Sequence, residues 1–393
     1  MWTRWLLVFI VSIAGCDSSA VVRDSQTRTE GDTTWIHYPE ADEKRVAARL
    51  TVHHEIEGHG PDEPYFARIE EVAVGDDGSL VVHDIMRGRV FSFRPNGELA
   101  GFVGRQGQGP GENTGVVGLA FTPEGDIVLA SYDGRIQFFS PEGRLLREWR
   151  PPMRIKHYFP LTTYEKNELA IRVIDPDLTK TGRSLFLLTD YHGRVIDSIV
   201  TLPTPWDGEV GIGQSSLVPR RSLRWGKNGP ITGVGSRLAF QAQKLDGSVL
   251  RVEREATPAA MLPEERKDWE IQNEFLRVRS GQPDRFPPAP EHKPILREIW
   301  PTETGQVWLE CRTVATGPDP SLPDRIAGLR PTPRWLEPLR IEVFDLDGDY
   351  LGVIEGPAGI DVKAVGHGWL VGVTRDEHGV ESLVRYRVTG THF

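Results

Sequence analysis

Residues 77–103 read DGSLVVHDIMRGRVFSFRPNGELAGFV. Three apolar runs, Leu80-Val81-Val82, Val90-Phe91-Ser92-Phe93 and Leu99 to Val103, are set off by turn residues, Asp77-Gly78 before the first and Pro95-Asn96-Gly97 before the last. X-Gly between β-type runs is a strong hairpin signal, because glycine accepts the positive φ that a tight turn demands. The stretch predicts consecutive antiparallel strands.

The pattern recurs along the chain. Pro141-Glu142-Gly143, Tyr191-His192-Gly193, Leu245-Asp246-Gly247 and Leu346-Asp347-Gly348 each follow an apolar, often aromatic run. An earlier turn series runs through Glu124-Gly125, Lys166-Asn167, Asn228-Gly229, Thr304-Gly305 and His367-Gly368. Each unit reads strand, turn, strand, longer loop, strand, turn, strand, at a period of about 45 residues, the signature of a propeller blade. The later series lacks its last turn, because the chain ends at Phe393 soon after Val384 to Val388. Arg45 to His53, with Val46, Leu50 and Val52 in partial alternation, offers a spare strand. The expected fold is all-β: a six-bladed β-propeller of four-stranded antiparallel blades over residues 35–393, the N-terminal strand closing the last blade. Closure removes a sheet edge that invites aggregation.

One segment breaks the β pattern. From Leu262-Pro263-Glu264-Glu265 to Arg279-Ser280-Gly281, proline and acids at the start and arginines and glycine at the end predict a short helix. Trp269, Phe275 and Leu276 would form its docking face. With the proline-rich Pro283 to Pro294, it makes an insertion over about residues 256–295, between the fourth and fifth blades.

With 46 basic and 56 acidic residues the chain carries a net charge of −10, which argues against nucleic-acid binding. Two cysteines cannot make a disulfide scaffold. The apolar run Trp5 to Ile13 is too short for a bilayer-spanning helix but suits a signal peptide, assigned here to residues 1–15. Residues 16–34 are polar and aperiodic and read as a flexible tether.

Two resemblances follow. Ile13-Ala14-Gly15-Cys16 resembles the lipobox of bacterial lipoproteins, which implies lipidation of Cys16 and a protein anchored to the inner or outer membrane of a bacterial cell envelope. Val81-Val82-His83-Asp84 through Gly88 to Phe93 resembles an NHL-type repeat, and Gly104 to Glu112 resembles the blade linker of the bacterial six-bladed β-propeller lipoproteins. That resemblance implies the fold and hardly any chemistry. Asp84 and Arg89 are expected to pair inside their blade.

No catalytic, metal-ligating or cofactor-binding set emerges. In His54-Glu55-x-x-x-His59 the second histidine falls one residue late for a zincin helix, in a region that reads as strand. Gly213 to Leu217 lacks the second glycine of a nucleophile elbow, and the glycines of 104–111 lack a Gly-Lys-Ser/Thr ending. Asp345-Leu346-Asp347-Gly348-Asp349 hints at a calcium loop but occupies a hairpin position, so the turn reading wins. Cys311 shares a strand face with Val307 and Leu309 and reads as a core thiol. The inner strands are expected to offer Glu70 and Glu71 and little else.

In antiparallel blades the X-Gly turns all fall at one end, and the long segments crowd the other, where long loops carry recognition. The candidate binding face is therefore Arg105, His157, Tyr158, Arg220, Arg221, Arg334 and Trp335, suited to ligands with carboxylates, phosphates or sugar rings. The expected role is a non-catalytic module binding an envelope protein, peptide or glycan. The alternative is a metal-dependent hydrolase or lyase of the gluconolactonase, arylesterase or amidoglycolate lyase kind, with its site in the central channel.

Overall fold

The computed structural model describes residues 25–39, 46–56, 66–155, 162–164, 168–211, 217–281, 286–321 and 334–390. The calls on Cys16, His59, His157, Tyr158 and Gly213 to Ser216 lie outside them.

Three four-stranded antiparallel sheets follow one another along the chain. The first is Ile69–Val74, Leu80–Asp84, Arg89–Phe93 and Leu99–Phe102; the second runs from Val116–Phe121 to Leu145–Trp149; the third runs from Thr162–Tyr164 to Val195–Val200. A fourth meander, Arg221–Gly226, Gly229–Val234, Leu238–Gln243 and Val249–Arg254, is extended to six strands by a hairpin, Gln26–Glu30 with Thr33–Tyr38, whose second strand pairs parallel to Val249–Arg254. The last sheet has eight strands, from Leu296–Pro301 at one edge to Asp361–Gly366 at the other. The described glycines of both turn series sit at positive φ, for example Gly97 at 83° and Gly348 at 87°. Without a Cβ they reach this region unstrained.

The closing strand is where the turn count puts it. Val46–Ile56 pairs antiparallel with Glu381–Gly390, with Leu50 opposite Val388. Its other edge pairs parallel with Tyr350–Ala358, fusing two four-stranded groups into the eight-stranded sheet. Leu50 lies against Gly356, where an added Cβ would meet it at 2.7 Å. The expected inward set is only partly right. A register shift between Val52 and His54 leaves Val52 exposed and turns Ile56 into the core. The tether expected to reach Thr34 likewise gives way to strand from Gln26.

Apolar clusters glue each sheet to the next. Val81, Val90, Leu119 and Phe139 join the first and second; Phe138, Leu169 and Leu187 join the second and third; Phe186, Leu223 and Trp225 join the third and fourth; Phe240, Ile299 and Phe344 join the fourth and fifth. Val371, Val373 and Leu383 then pack on Val82 and Phe91, so the last sheet returns to the first. The chain is mostly β and propeller-like, its sheets packed face to face around an axis.

The helix runs over Pro263–Ser280 and stops at Gly281 in the left-handed region. Its buried residues are Glu265, Gln272, Asn273 and Leu276. The docking face is thus more polar than the expected Trp269, Phe275 and Leu276, although Trp269 does pack on Leu217, Met261 and Ala289. Fully buried Lys293 holds the helix, its Nζ lying 2.8 Å from Glu265 and 3.1 Å from Glu337.

Asp84 and Arg89 are cross-strand partners, as expected, but the ion pair of Asp84 is with Arg87 instead. Buried Asp84 accepts backbone N–H groups from Ala67, Arg68, Met86 and Arg87, and the guanidinium of Arg87 lies 3.8 Å away. Those amides belong to loop segments flanking the strand, so the carboxylate closes the loop, while Arg89 lies over the Phe102 ring. Cys311 does pack against the apolar cluster of the fourth and fifth sheets, and burial pushes its thiol pKa up. Asp345 accepts the amides of Asp347 and Asp349, as a hairpin turn requires.

Candidate functional site

Antiparallel order places the two ends of the ring. Turns after first and third strands share one end; second connections and sheet-to-sheet linkers share the other. The described parts of the linkers 201–220 and 255–295 and of the connection between Gln306–Cys311 and Pro338–Asp345 therefore fall at the second end.

The axis holds a cavity of about 990 Å³, walled by residues of the first strands: Ile69–Val74, Val116–Phe121, Thr162–Tyr164, Arg221–Gly226, Leu296–Pro301 and Asp361–Gly366. Four of these strands carry a register shift near the start, at Ile69/Glu71, Val116/Gly118, Leu296/Glu298 and Val362/Ala364. A bulge inserts one residue and re-aims its neighbours, so consecutive side chains can face one side. Glu70 with Glu71 and Arg297 with Glu298 line the cavity in this way, together with Arg224, Glu310, Asp361 and Lys363. The expectation of Glu70, Glu71 and little else is too narrow: the inner strands start earlier and are more numerous than the apolar runs suggest, and Glu298, Glu310 and Asp361 line the channel as well.

The channel charges are tied to one another. Arg224 lies 2.8 Å from Glu298 and stacks over Trp300 at 5.3 Å, while Arg297 lies 3.4 Å from Glu310, which accepts the Trp300 indole N–H at 2.9 Å. Burial raises the Glu310 pKa against the pull of Arg297 and that indole. Burial pushes Glu71 up to about 7, although Leu119 donates its amide to the carboxylate at 3.2 Å. Burial also acts to raise Asp361, but Lys363, 3.1 Å away, and Arg297 outweigh it and hold the carboxyl below its ordinary value. Among the described residues no group of three or more His, Cys, Asp or Glu side chains is placed to hold a metal ion.

A second recess of about 350 Å³ opens at the long-loop end and shares Arg224, Arg297 and Glu298 with the channel. Its wall includes Arg172, Arg220, Arg221 and Arg312 as well, six guanidiniums with one carboxylate, Glu298. They come from three successive sheets: Arg172 near the end of Glu168–Val173, Arg220 to Arg224 at the start of Arg221–Gly226, and Arg297 and Arg312 beside the channel end of the last sheet. Three of them have anchoring contacts outside the recess lining. Arg221 lies 2.5 Å from Asp207, Arg172 donates to Ser184 Oγ at 2.8 Å, and Arg312 lies 3.1 Å from Glu337. Burial lowers the Arg172 pKa to about 10, and the neighbouring Arg221 and Arg224 add to the shift.

The structure brings Arg220 and Arg221 of the expected face together in this recess. It places the other described members elsewhere. Exposed Arg105 lies 2.8 Å from Glu112 within the glycine-rich linker. Arg334 faces Asp319 at 3.7 Å, and the Trp335 indole donates to Asp268 of the helix at 3.1 Å, so these two pin loops to one another. Arg172, Arg224, Arg297 and Arg312 were missed. A signal for them existed: Ile171-Arg172-Val173 and Leu223-Arg224-Trp225 each hold an arginine inside an apolar strand.

No family model and no curated protein matches the chain. Among solved structures it is similar to a "putative exported protein" from Bacteroides fragilis, with 12% identity, a TM-score of 0.52, and coverage of 90% of this chain and 99% of that one. It is similar also to a member of the DUF4221 family from Bacteroides vulgatus, with 11% identity, a TM-score of 0.54, and coverage of 88% and 100%. At such identities the likeness speaks to fold: these neighbours are β-propeller-like. No helix among the described residues is long and apolar enough to cross a membrane.

Proposed function

We propose that this chain is an exported, lipid-anchored six-bladed β-propeller of the bacterial cell envelope, a non-catalytic binding module that works through its long-loop end. The blade count treats the eight-stranded sheet as two four-stranded blades joined at the parallel pair of Tyr350–Ala358 with Val46–Ile56. The NHL-type pattern from Val81 to Phe93 supports the same reading. Export rests on the signal-like run ending at Cys16, and the similar B. fragilis structure is described as exported. Replacing Cys16 with Ala should abolish acyl labelling and shift the protein from membrane to soluble fraction; unchanged labelling and fractionation would refute the anchor.

The observation that carries the binding reading is the convergence of six arginines in one recess at the long-loop end of a chain whose net charge is −10. A concave site with few, convergent polar groups is the usual form of a ligand pocket. The partner is an envelope protein, peptide or glycan bearing acidic groups. Capture of such a partner from envelope extracts by the full chain should be lost on joint Arg220→Ala, Arg221→Ala, Arg334→Ala and Trp335→Ala replacement. Capture that survives all four would remove this face from the function.

A further inference from the structure

We infer that the arginine recess is a site for one small oxyanionic ligand, a phosphate or carboxylate group, gripped by Arg172, Arg220, Arg221 and Arg224. The inference rests on the binding reading above and names the chemistry that the site recognises. Three features lead to it.

The first is the charge balance. Among the described residues the recess is lined by six guanidiniums and by one carboxylate, Glu298, which pairs with Arg224. Asp207, Glu310 and Glu337, which pair with Arg221, Arg297 and Arg312, do not line the recess. The lining of the recess is therefore strongly cationic.

The second is geometry. Arg221 is anchored at both ends of its fork, by Asp207 and by the Gly182 carbonyl, and Arg172 is anchored by Ser184. Anchored guanidiniums lose little freedom on binding, and their remaining N–H groups can donate to carboxylate or phosphate oxygens. Arg224 adds a donor: its Nε is buried and has no hydrogen-bond partner among the described residues. A buried N–H without an acceptor is costly, and a ligand oxygen would satisfy it.

The third is size. About 350 Å³ at the mouth of a narrow channel admits a small molecule, not a duplex or a folded domain. A nucleic acid would also meet the acidic balance of the whole chain. A compact anion is drawn in instead, because a low-dielectric cleft focuses the local field.

Calorimetric titration of the full chain with inorganic phosphate, glucose 6-phosphate and galacturonate tests the site. At least one probe should bind saturably at 1:1, and the phosphate and carboxylate arms decide which oxyanion is preferred. Arg172→Gln and Arg221→Gln should each weaken that binding at least tenfold. Arg172→Lys, which keeps the charge and loses the fork, should retain part of it. Arg94→Gln should bind like wild type, because Arg94 pairs with Glu98 in a turn at the opposite end. Should Arg172→Gln not fold, exposed Arg220→Gln gives the same comparison. No binding of any probe, or binding unchanged in folded Arg172→Gln and Arg221→Gln, overturns the inference. Oxyanion binding together with envelope capture that ignores Arg334 and Trp335 supports the recess while the wider face fails. Capture lost in those variants with no oxyanion bound overturns the recess alone.

Discussion

Lys293 joins the helix to Glu337, the partner of the recess residue Arg312, and its removal gives the sharpest test of this packing. Its ammonium is fully buried, 2.8 Å from Glu265, 3.1 Å from Glu337, and within 3.0 Å of the Thr313 carbonyl. Lys293→Met keeps most of the apolar stem and deletes the charge. Glu337 retains Arg312 at 3.1 Å, but among the described residues buried Glu265 keeps only the Leu262 amide, at 3.4 Å. Removing one partner of a buried ion pair costs about 3–5 kcal/mol, because an uncompensated charge stays behind. At about 2.1 cal/mol/K per residue over roughly 300 ordered residues, 4 kcal/mol is worth about 6 °C in Tm. Calorimetry reads that shift, and hydrogen exchange over Pro263–Ser280 shows whether the helix opens first. The double variant Lys293→Met with Glu265→Gln should recover much of the loss, since the orphaned charge has gone. A single variant within about 0.5 kcal/mol of wild type, which is the ordinary surface range, would refute the claim that this lysine holds the insertion.

Two further outcomes follow. Deleting residues 46–56 strips a strand from between two neighbours, exposes two sheet edges and uncovers the apolar partners of Ala48 and Ile56, so it should cost on the order of several kcal/mol; a deletion mutant that melts cooperatively at the wild-type temperature would mean that the ring closes elsewhere. For Glu71, with a folded pKa near 7 against an ordinary 4.5, the native state holds a proton that the unfolded chain has lost between those values, so stability falls as pH rises from 4.5 through 7, by at most about 3 kcal/mol; Glu71→Gln should flatten this dependence in urea titrations at pH 5 and pH 8, and an unchanged slope would refute the assignment.

Much of the fold is legible in the sequence because glycine turns are written locally. Gly97, Gly143 and Gly348 mark hairpins whatever their surroundings, and counting those turns is enough to demand a strand near residue 50. What is not legible has physical reasons. The parallel pairing of Val46–Ile56 with Tyr350–Ala358 joins residues some 300 positions apart, and a pairing without a connecting turn leaves no local mark. The strand Gln26–Glu30 is exposed along its whole length, so it has no apolar alternation to show, although Glu30-Gly31 is itself an X-Gly turn with positive φ. The helix is placed well because its proline start and glycine stop are chemical signals; its docking face is misjudged because Gln272 and Asn273 are buried polar groups. The channel is misjudged for a third reason: Arg297, Glu298, Asp361 and Lys363 sit at bulged strand starts outside the apolar runs that mark a strand in sequence, and no single residue type announces such a bulge.

The recess follows from the ring's construction more than from any one segment. Arg172, Arg224 and Arg297 lie on three different sheets, and folding brings them together in spite of their mutual repulsion. Apolar joints between those sheets, Phe186 on Trp225 and Ile299 beside Phe240, supply the opposing attraction. The acidic exterior does not cancel this field, because charges farther than about 8 Å away through physiological salt are largely screened. Any oxyanion that enters relieves the repulsion and binds only the closed ring, so it should stabilise the fold by about 2.7 kcal/mol at a hundred times its Kd. Ligand binding and ring closure are then two readings of one equilibrium: a change that opens the ring at Val46–Ile56 weakens the site without touching an arginine, and a ligand held by the arginines tightens the closure at that strand.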